Sequence, residues 1–152
     1  MEIRPLGRRE RALIAQCGGI LAEAFPEDYA DAPLEEMRSL LQKGRLLLVA
    51  LEEGRAIGLI GAIPQYGVTG WELHPLAVKA DRRGQRVGSA LIRALEAEVR
   101  ARGGVMIYLG TDDHFGQTSL SGVNLYREPY RHMAEIRNLR RHPYEFYQKP
   151  GY

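Results

Sequence analysis

One cysteine, Cys17, occurs in 152 residues, so no internal disulfide can form, and a reducing cytoplasm is the expected compartment. The four histidines are scattered, and beside a lone cysteine they offer no zinc-ligand spacing, so no metal is expected. No segment approaches the roughly 18 consecutive apolar residues of a membrane helix. The opening MEIRPLGRRERAL has no apolar run behind its basic residues, as a secretory signal requires, and no membrane partner is expected. A net charge of +2 makes no case for nucleic acid, and the basic stretches lack the interleaved aromatics of a single-strand reader. Repeats, low-complexity tracts and linker-like stretches are also missing, which leaves one domain over residues 1–152.

What is present is an ordinary globular composition, 45% hydrophobic and 26% charged, with its charges set apart. FPEDYADAPLEE concentrates Glu27, Asp28, Asp31, Glu35 and Glu36, whereas KADRRGQR (79–86) and RNLRRH (137–142) are basic. Such a molecule can hold a cationic substrate in one place and an anionic cofactor in another. Charge runs also serve as plain solvated faces.

Residues 2–5 read as a short strand. Apolar residues at helical spacing predict helices over 8–24 (Leu13, Cys17, Ile20, Leu21, Ala24) and 33–43 (Leu34, Met37, Leu40, Leu41). The first carries Gly18-Gly19, costly in a helix interior. RLLLVALEEGRAIGLIGAI is two apolar runs about a glycine-bearing turn, a hairpin. Residues 71–78 follow as a strand. The amphipathic helix over 86–102 carries Val87, Leu91, Leu95 and Val99 on its stripe, and Gly103-Gly104 stops it. VMIYL (105–109) is a buried strand, so 71–109 forms a parallel crossover. Residues 142–149 suggest a closing helix, while 118–140 carries no clear pattern. The order predicts a mixed α/β domain (an α+β mixed sheet).

Within WELHPLAVKADRRGQRVGSALI two features ask for a reason. Strand alternation would put Glu72, His74, Leu76 and Val78 on one face and Trp71, Leu73 and Ala77 on the other, so two ionisable groups stand side by side about 7 Å apart. Pro75 cannot donate to a ladder, which suits an edge or a bulge. The turn DRRGQRVGSAL then joins strand to helix, where unpaired N–H groups, the positive end of the dipole and close-approaching glycines can build an anion site. Arg82, Arg83 and Arg86 add mobile positive charge. A solvated basic turn is the plain alternative.

A strand, then R-G-Q-R-V-G-S-A-L, then a long amphipathic helix resembles the acetyl-CoA signature of the GNAT superfamily of N-acetyltransferases, Q/R-x-x-G-x-G/A. Arg83 takes its first position and Gly88 its last, with Arg86 in place of the middle glycine. LIGAIPQYGVTGWELHPL, GGVMIYLGTDD and HPYEFYQKPGY, in that order, are similar to the aminoglycoside 6′-N-acetyltransferases, and the likeness runs from near residue 24 to the end. The resemblance implies the GNAT fold, a homodimer, and transfer of the acetyl group of acetyl-CoA to the 6′-amine of an aminoglycoside, an antibiotic-resistance activity. Acetyl-CoA, the co-substrate, would lie between strands 71–78 and 105–109, which diverge in that fold. Backbone groups of Leu76 and Val78 would bond its pantetheine and acetyl groups. Its pyrophosphate would be held by Arg83, Gly84, Gln85, Arg86, Val87, Gly88 and Ser89.

The same resemblance gives the chemistry its residues. Glu72 would bind the ammonium of the acceptor and pass its proton away, and His74 would join that relay or orient the substrate. The N–H of Leu76 would stabilise the oxyanion, and Tyr147 matches the tyrosine near the CoA sulfur. With a phenol near about 10 and a thiol near about 8.5, the thiolate leaves readily, so the phenol's help is expected to be modest. Asp112 and Asp113, otherwise turn formers after a strand, would add carboxylates for a polycationic acceptor, as would the acidic run 27–36. Cys17 and Trp71 belong to the core.

GNAT sheets continue beyond the point that Tyr152 occupies. The fold is therefore expected to lack its last strands and to leave strand 105–109 at an edge; trimming, a shortened chain and strand exchange with another chain are the alternatives. Two other functions would use the same residues: acetyl transfer to another amine, such as a polyamine or a protein lysine, and non-catalytic binding of acyl-CoA.

Overall fold

Apolar runs such as LLLVAL need cover on both faces of a sheet, and two sets of helices provide it. The computed structural model describes residues 1–112 and 115–152, which form two units, Met1–Leu109 and Gly110–Tyr152. In the first, strands β1 (Glu2–Pro5), β2 (Leu46–Glu52), β3 (Arg55–Tyr66), β4 (Gly70–Val78) and β5 (Met106–Tyr108) lie side by side in that order. Neighbours are antiparallel except β4 and β5, which run parallel. Helices α1 (Arg11–Ala24), α2 (Pro26–Tyr29) and α3 (Pro33–Leu40) precede β2, and α4 (Val87–Ala101) is the crossover that a parallel pair requires.

One face packs Cys17, Ile20 and Leu21 of α1 and Met37 and Leu40 of α3 against Leu47, Val49, Leu51, Leu59 and Ala77. The alternate strand positions, including Leu46, Leu48 and Ile60, are buried as well. There α4 presents Val87, Leu91, Ile92, Leu95 and Val99. Each such side chain, fully buried, contributes about 1.5–3 kcal/mol. Gly58 admits the helix closely: an added Cβ would stand 3.1 Å from Leu91 and 3.3 Å from Val87.

Local chemistry moves several element ends. The helix expected from residue 8 starts at Arg11, because Glu10 closes a turn before it. Its carboxylate accepts from the Gly7 N–H at 2.6 Å and from Arg4 at 2.6 and 3.0 Å. The helix expected to reach 43 stops at Leu40. Pro26 opens an unforeseen four-residue helix, α2, within the acidic run, and the strand expected over 105–109 shortens to Met106–Tyr108. The hairpin is as expected: Glu53 and Gly54, at φ 50° and 76°, form the two-residue loop that suits strand twist.

The second unit holds α5 (Pro129–Ala134) and α6 (Tyr144–Gln148), with a bridge between Thr118 and Asn138. Buried His142 organises it. Its Nε2–H donates to the Asp112 carbonyl at 2.8 Å, and its Nδ1 accepts from the Tyr144 N–H at 3.2 Å. Among the described residues no helix is long and apolar enough to cross a membrane, and no three metal-ligating side chains converge.

Gly19 is an exposed position inside α1 with open space around a would-be Cβ, so Gly19→Ala should raise stability by about 1 kcal/mol in urea unfolding. Glu10 titrates at about 2 instead of 4.5, chiefly through Arg4 and then the Gly7 N–H. A depressed carboxyl stabilises the fold above its ordinary pKa and loses that contribution as pH falls toward 2. The stability gap between wild type and Glu10→Gln should therefore close between pH 4.5 and 2. A gap of constant size across that window would mean that the ion pair is not its source.

Candidate functional site

Ile60 and Ala62 stand two residues apart on one face of β3, yet their β4 partners, Leu76 and Leu73, are three apart. The extra residue is a bulge at His74-Pro75, where the missing proline N–H costs no ladder bond. Alternation therefore breaks. Trp71, Leu73, Leu76 and Val78 lie on the α4 face, and Glu72 and His74 lie with Ala77 on the face that α1 and α3 cover. The expectation that Leu76 and Val78 share a face with Glu72 and His74 is thus corrected, while Glu72 and His74 stay together because both precede Pro75. Gly61 permits the bulge: an added Cβ would collide with the His74 carbonyl oxygen.

The strand β5 pairs only with Gly70, Trp71 and Glu72 of β4. Past Glu72, β4 keeps β3 on one side and has no strand on the other among the described residues. The Lys79 N–H donates to the Ile57 carbonyl at 2.9 Å. That bond makes Val78 and Gly58, and two residues back Leu76 and Ile60, pairs whose own N–H and C=O groups point away from each other. Leu76 and Val78 thus aim their backbone groups into the gap that β5 leaves. One is occupied, since the Val78 carbonyl accepts from Arg83 Nε at 3.0 Å.

At the far end of the gap α4 begins. Its N-cap, Arg86, is left-handed at φ 64° and ψ 10°, so it adopts the conformation a glycine would, at about 1–2 kcal/mol. The Ala90 N–H is the first to bond back, to the Arg86 carbonyl at 3.0 Å. The N–H groups of Val87, Gly88 and Ser89 therefore lack intrahelical partners, and no acidic residue stands in the first turn. Gly84 turns the chain at φ +74°, and the Gln85 side chain donates to the Asp81 carbonyl at 3.1 Å. Of the three arginines expected to supply mobile charge, Arg82 does not. It lies 2.9 Å from Glu52 and 3.3 Å from Asp81, which ties the turn to the β2–β3 hairpin.

On the other face Glu72 and His74 are each held separately. Glu72 accepts from Gln65 Nε2 at 2.8 Å, and Tyr108 is its partner across β5. The Tyr108 phenol is raised by desolvation, then by the Glu72 charge and by Tyr66, whose ring centroid is 6.2 Å away. His74 Nε2 stands 3.2 Å from Glu36 Oε1 on α3 and 3.4 Å from the Tyr29 hydroxyl on α2. Burial, then Glu36 and Asp28, pushes the Tyr29 phenol up to about 12. Glu36 is thus singled out of an acidic run whose other members are exposed. Gln65, Tyr66, Tyr108 and Tyr29 were not foreseen: none carries a charge, and Tyr29 and Tyr108 come from distant parts of the chain.

In the second unit Asp112 is exposed, and its backbone carbonyl engages His142; Asp113 lies outside the described residues. Tyr147, on α6, packs edge-on to Phe146 at 5.2 Å and Tyr152 at 6.4 Å, and burial pushes its phenol up to about 12. Two core assignments hold. Cys17 is fully buried with its thiol pushed up to about 12 by desolvation, and Trp71 is buried with its indole N–H on the Val68 carbonyl at 2.8 Å.

The sequence matches the acetyltransferase (GNAT) family over residues 14–128. A crystal structure of an aminoglycoside 6′-N-acetyltransferase complexed with coenzyme A is 45% identical and superposes with a TM-score of 0.95, over 99% of this chain and 84% of that one. The aminoglycoside 6′-N-acetyltransferase from Enterococcus faecium is 45% identical at a TM-score of 0.92, with the same coverage. An aminoglycoside 6′-acetyltransferase of type Ii is 39% identical at 0.78, over 100% of this chain and 83% of that one. No curated protein matches the sequence significantly.

Gly61→Ala should destabilise the fold by about 1–3 kcal/mol, because backbone has to move to clear the new methyl. Wild-type stability for Gly61→Ala in urea unfolding would show that the bulge tolerates a side chain there.

Proposed function

The chain belongs to the acetyltransferase (GNAT) family, and from that premise we propose that it transfers the acetyl group of acetyl-CoA to the 6′-amino group of aminoglycosides. The observation that carries this reading is the gap past Glu72, where the backbone of β4 is turned outward beside an acidic face. A flat thioester arm suits the gap, and a polycationic acceptor suits the face.

An acceptor amine is mostly protonated near neutral pH and attacks only after losing a proton. Glu72 receives the ammonium and starts that proton on its way. The Leu76 N–H, aimed into the gap, meets the charge that develops on the acetyl oxygen. The Val78 N–H serves the pantetheine arm, while its carbonyl is left to Arg83. The N–H groups from Gln85 through Ser89, with Gly84 turning the chain and Arg83 and Arg86 adding charge, take the pyrophosphate. As the C–N bond forms and the C–S bond breaks, the nitrogen gives up its second proton to water and the thiolate departs. We assign Tyr147, whose phenol is protonated at neutral pH, as a hydrogen-bond donor to that sulfur. Asp112 and Asp113 complement further ammonium groups, and we place the enzyme in the cytoplasm as a homodimer.

The test is release of CoA thiol with a 6′-amino aminoglycoside, a 6′-hydroxy analogue and a polyamine. Release with the 6′-amine alone is expected. Equal release with the polyamine would make the enzyme a general amine acetyltransferase, and acetyl-CoA binding without any release would make it a binding module. Glu72→Gln should lower kcat by at least about 100-fold; an unchanged rate would remove Glu72 from the proton chemistry.

A further inference from the structure

His74 is bonded away from Glu72, toward the helices. Its Nε2 lies 3.2 Å from Glu36 Oε1, and the carboxylate is 22% exposed against 37% for the imidazole. Glu36 is presented from a fixed helix, since its neighbour Met37 is fully buried and Leu40 nearly so. A carboxylate only accepts, so this contact requires the proton on Nε2, and in the neutral ring the lone pair then sits on Nδ1. The Tyr29 phenol, protonated up to about 12, adds its oxygen at 3.4 Å as a second acceptor on the same side. Both partners thus face one ring nitrogen.

We infer that Glu36 is a positioning residue for acetyl transfer, holding His74 as the Nε2–H tautomer so that Nδ1 takes the proton the acceptor amine gives up. This rests on the function proposed above. An N–H bond of the ammonium breaks, and the proton passes by way of Glu72 and water to Nδ1. The imidazolium so formed stays paired with Glu36 until it releases that proton to solvent. The free amine then attacks the thioester carbon. Two carboxylates therefore have different duties: Glu72 meets the substrate, and Glu36 meets the histidine.

The test combines kinetics with 15N spectra of the imidazole in the full-length protein. Glu36→Ala should lower kcat about 10-fold, the low end of what losing a histidine-orienting partner costs at metal sites, with the KM for acetyl-CoA unchanged. In a His74→Ala background the same change should do nothing more. A further loss there, seen as a raised KM for the aminoglycoside, would make Glu36 an independent cation site and overturn the inference, as would an unchanged kcat. The spectra read His74 whether or not the enzyme turns over. The neutral ring should be Nε2–H in wild type, a tautomer mixture in Glu36→Ala, and Nε2–H again in Glu36→Gln, which keeps an acceptor oxygen. One tautomer throughout would overturn the inference by itself. A wild-type enzyme inactive on every amine, yet showing the expected spectra, would instead overturn only the proposed function.

Discussion

A strand inside a sheet has two edges to satisfy, and past Glu72, among the described residues, β4 has a ladder on one of them only. Each part-buried backbone donor or acceptor left without a partner costs about 1–3 kcal/mol, so a parted edge persists only where the rest of the fold holds it open. Here the means are visible. Pro75 removes one donor, Gly61 lets the bulged chain pass close to β3, and Arg83 occupies the Val78 carbonyl. The helix α4, seated against Gly58, carries the chain from β4 to β5 and fixes where β5 can return.

The same bulge separates two kinds of chemistry by face. Without it, the side chains of Leu76 and Val78 would crowd the acidic face beside Glu72 and His74. With it they turn toward α4, and the acidic face is left to the carboxylates, the imidazole and the tyrosines. Positive charge gathers at the start of α4 instead. Acidic and basic side chains are thus set on different surfaces, and neither set neutralises the other.

The element order was legible because apolar period and turn chemistry are local. Glu72 and His74 were legible as a pair for the same reason: both lie before the bulge, where alternation still holds. What could not be read depends on partners far along the chain. The reversal at Leu76 follows from Gly61 on another strand. The bond between His74 and Glu36 spans 38 residues, and the capture of Arg82 by Glu52 spans 30. Gln65 and Tyr108 bear no charge that would mark them. Arg86 is the reverse case: its sequence departs from the signature, but its backbone keeps the glycine's geometry.

The contact between Arg82 and Glu52 reaches beyond the turn it steadies. Both side chains are partly exposed, so the pair is worth about 0–1 kcal/mol and weakens as ions screen it. Screening acts equally on the attraction between a phosphate and Arg83 or Arg86. Ionic strength therefore pulls both levers in one direction: in concentrated salt the turn before α4 is looser, and the reach of Arg83 and Arg86 for any anion is shorter.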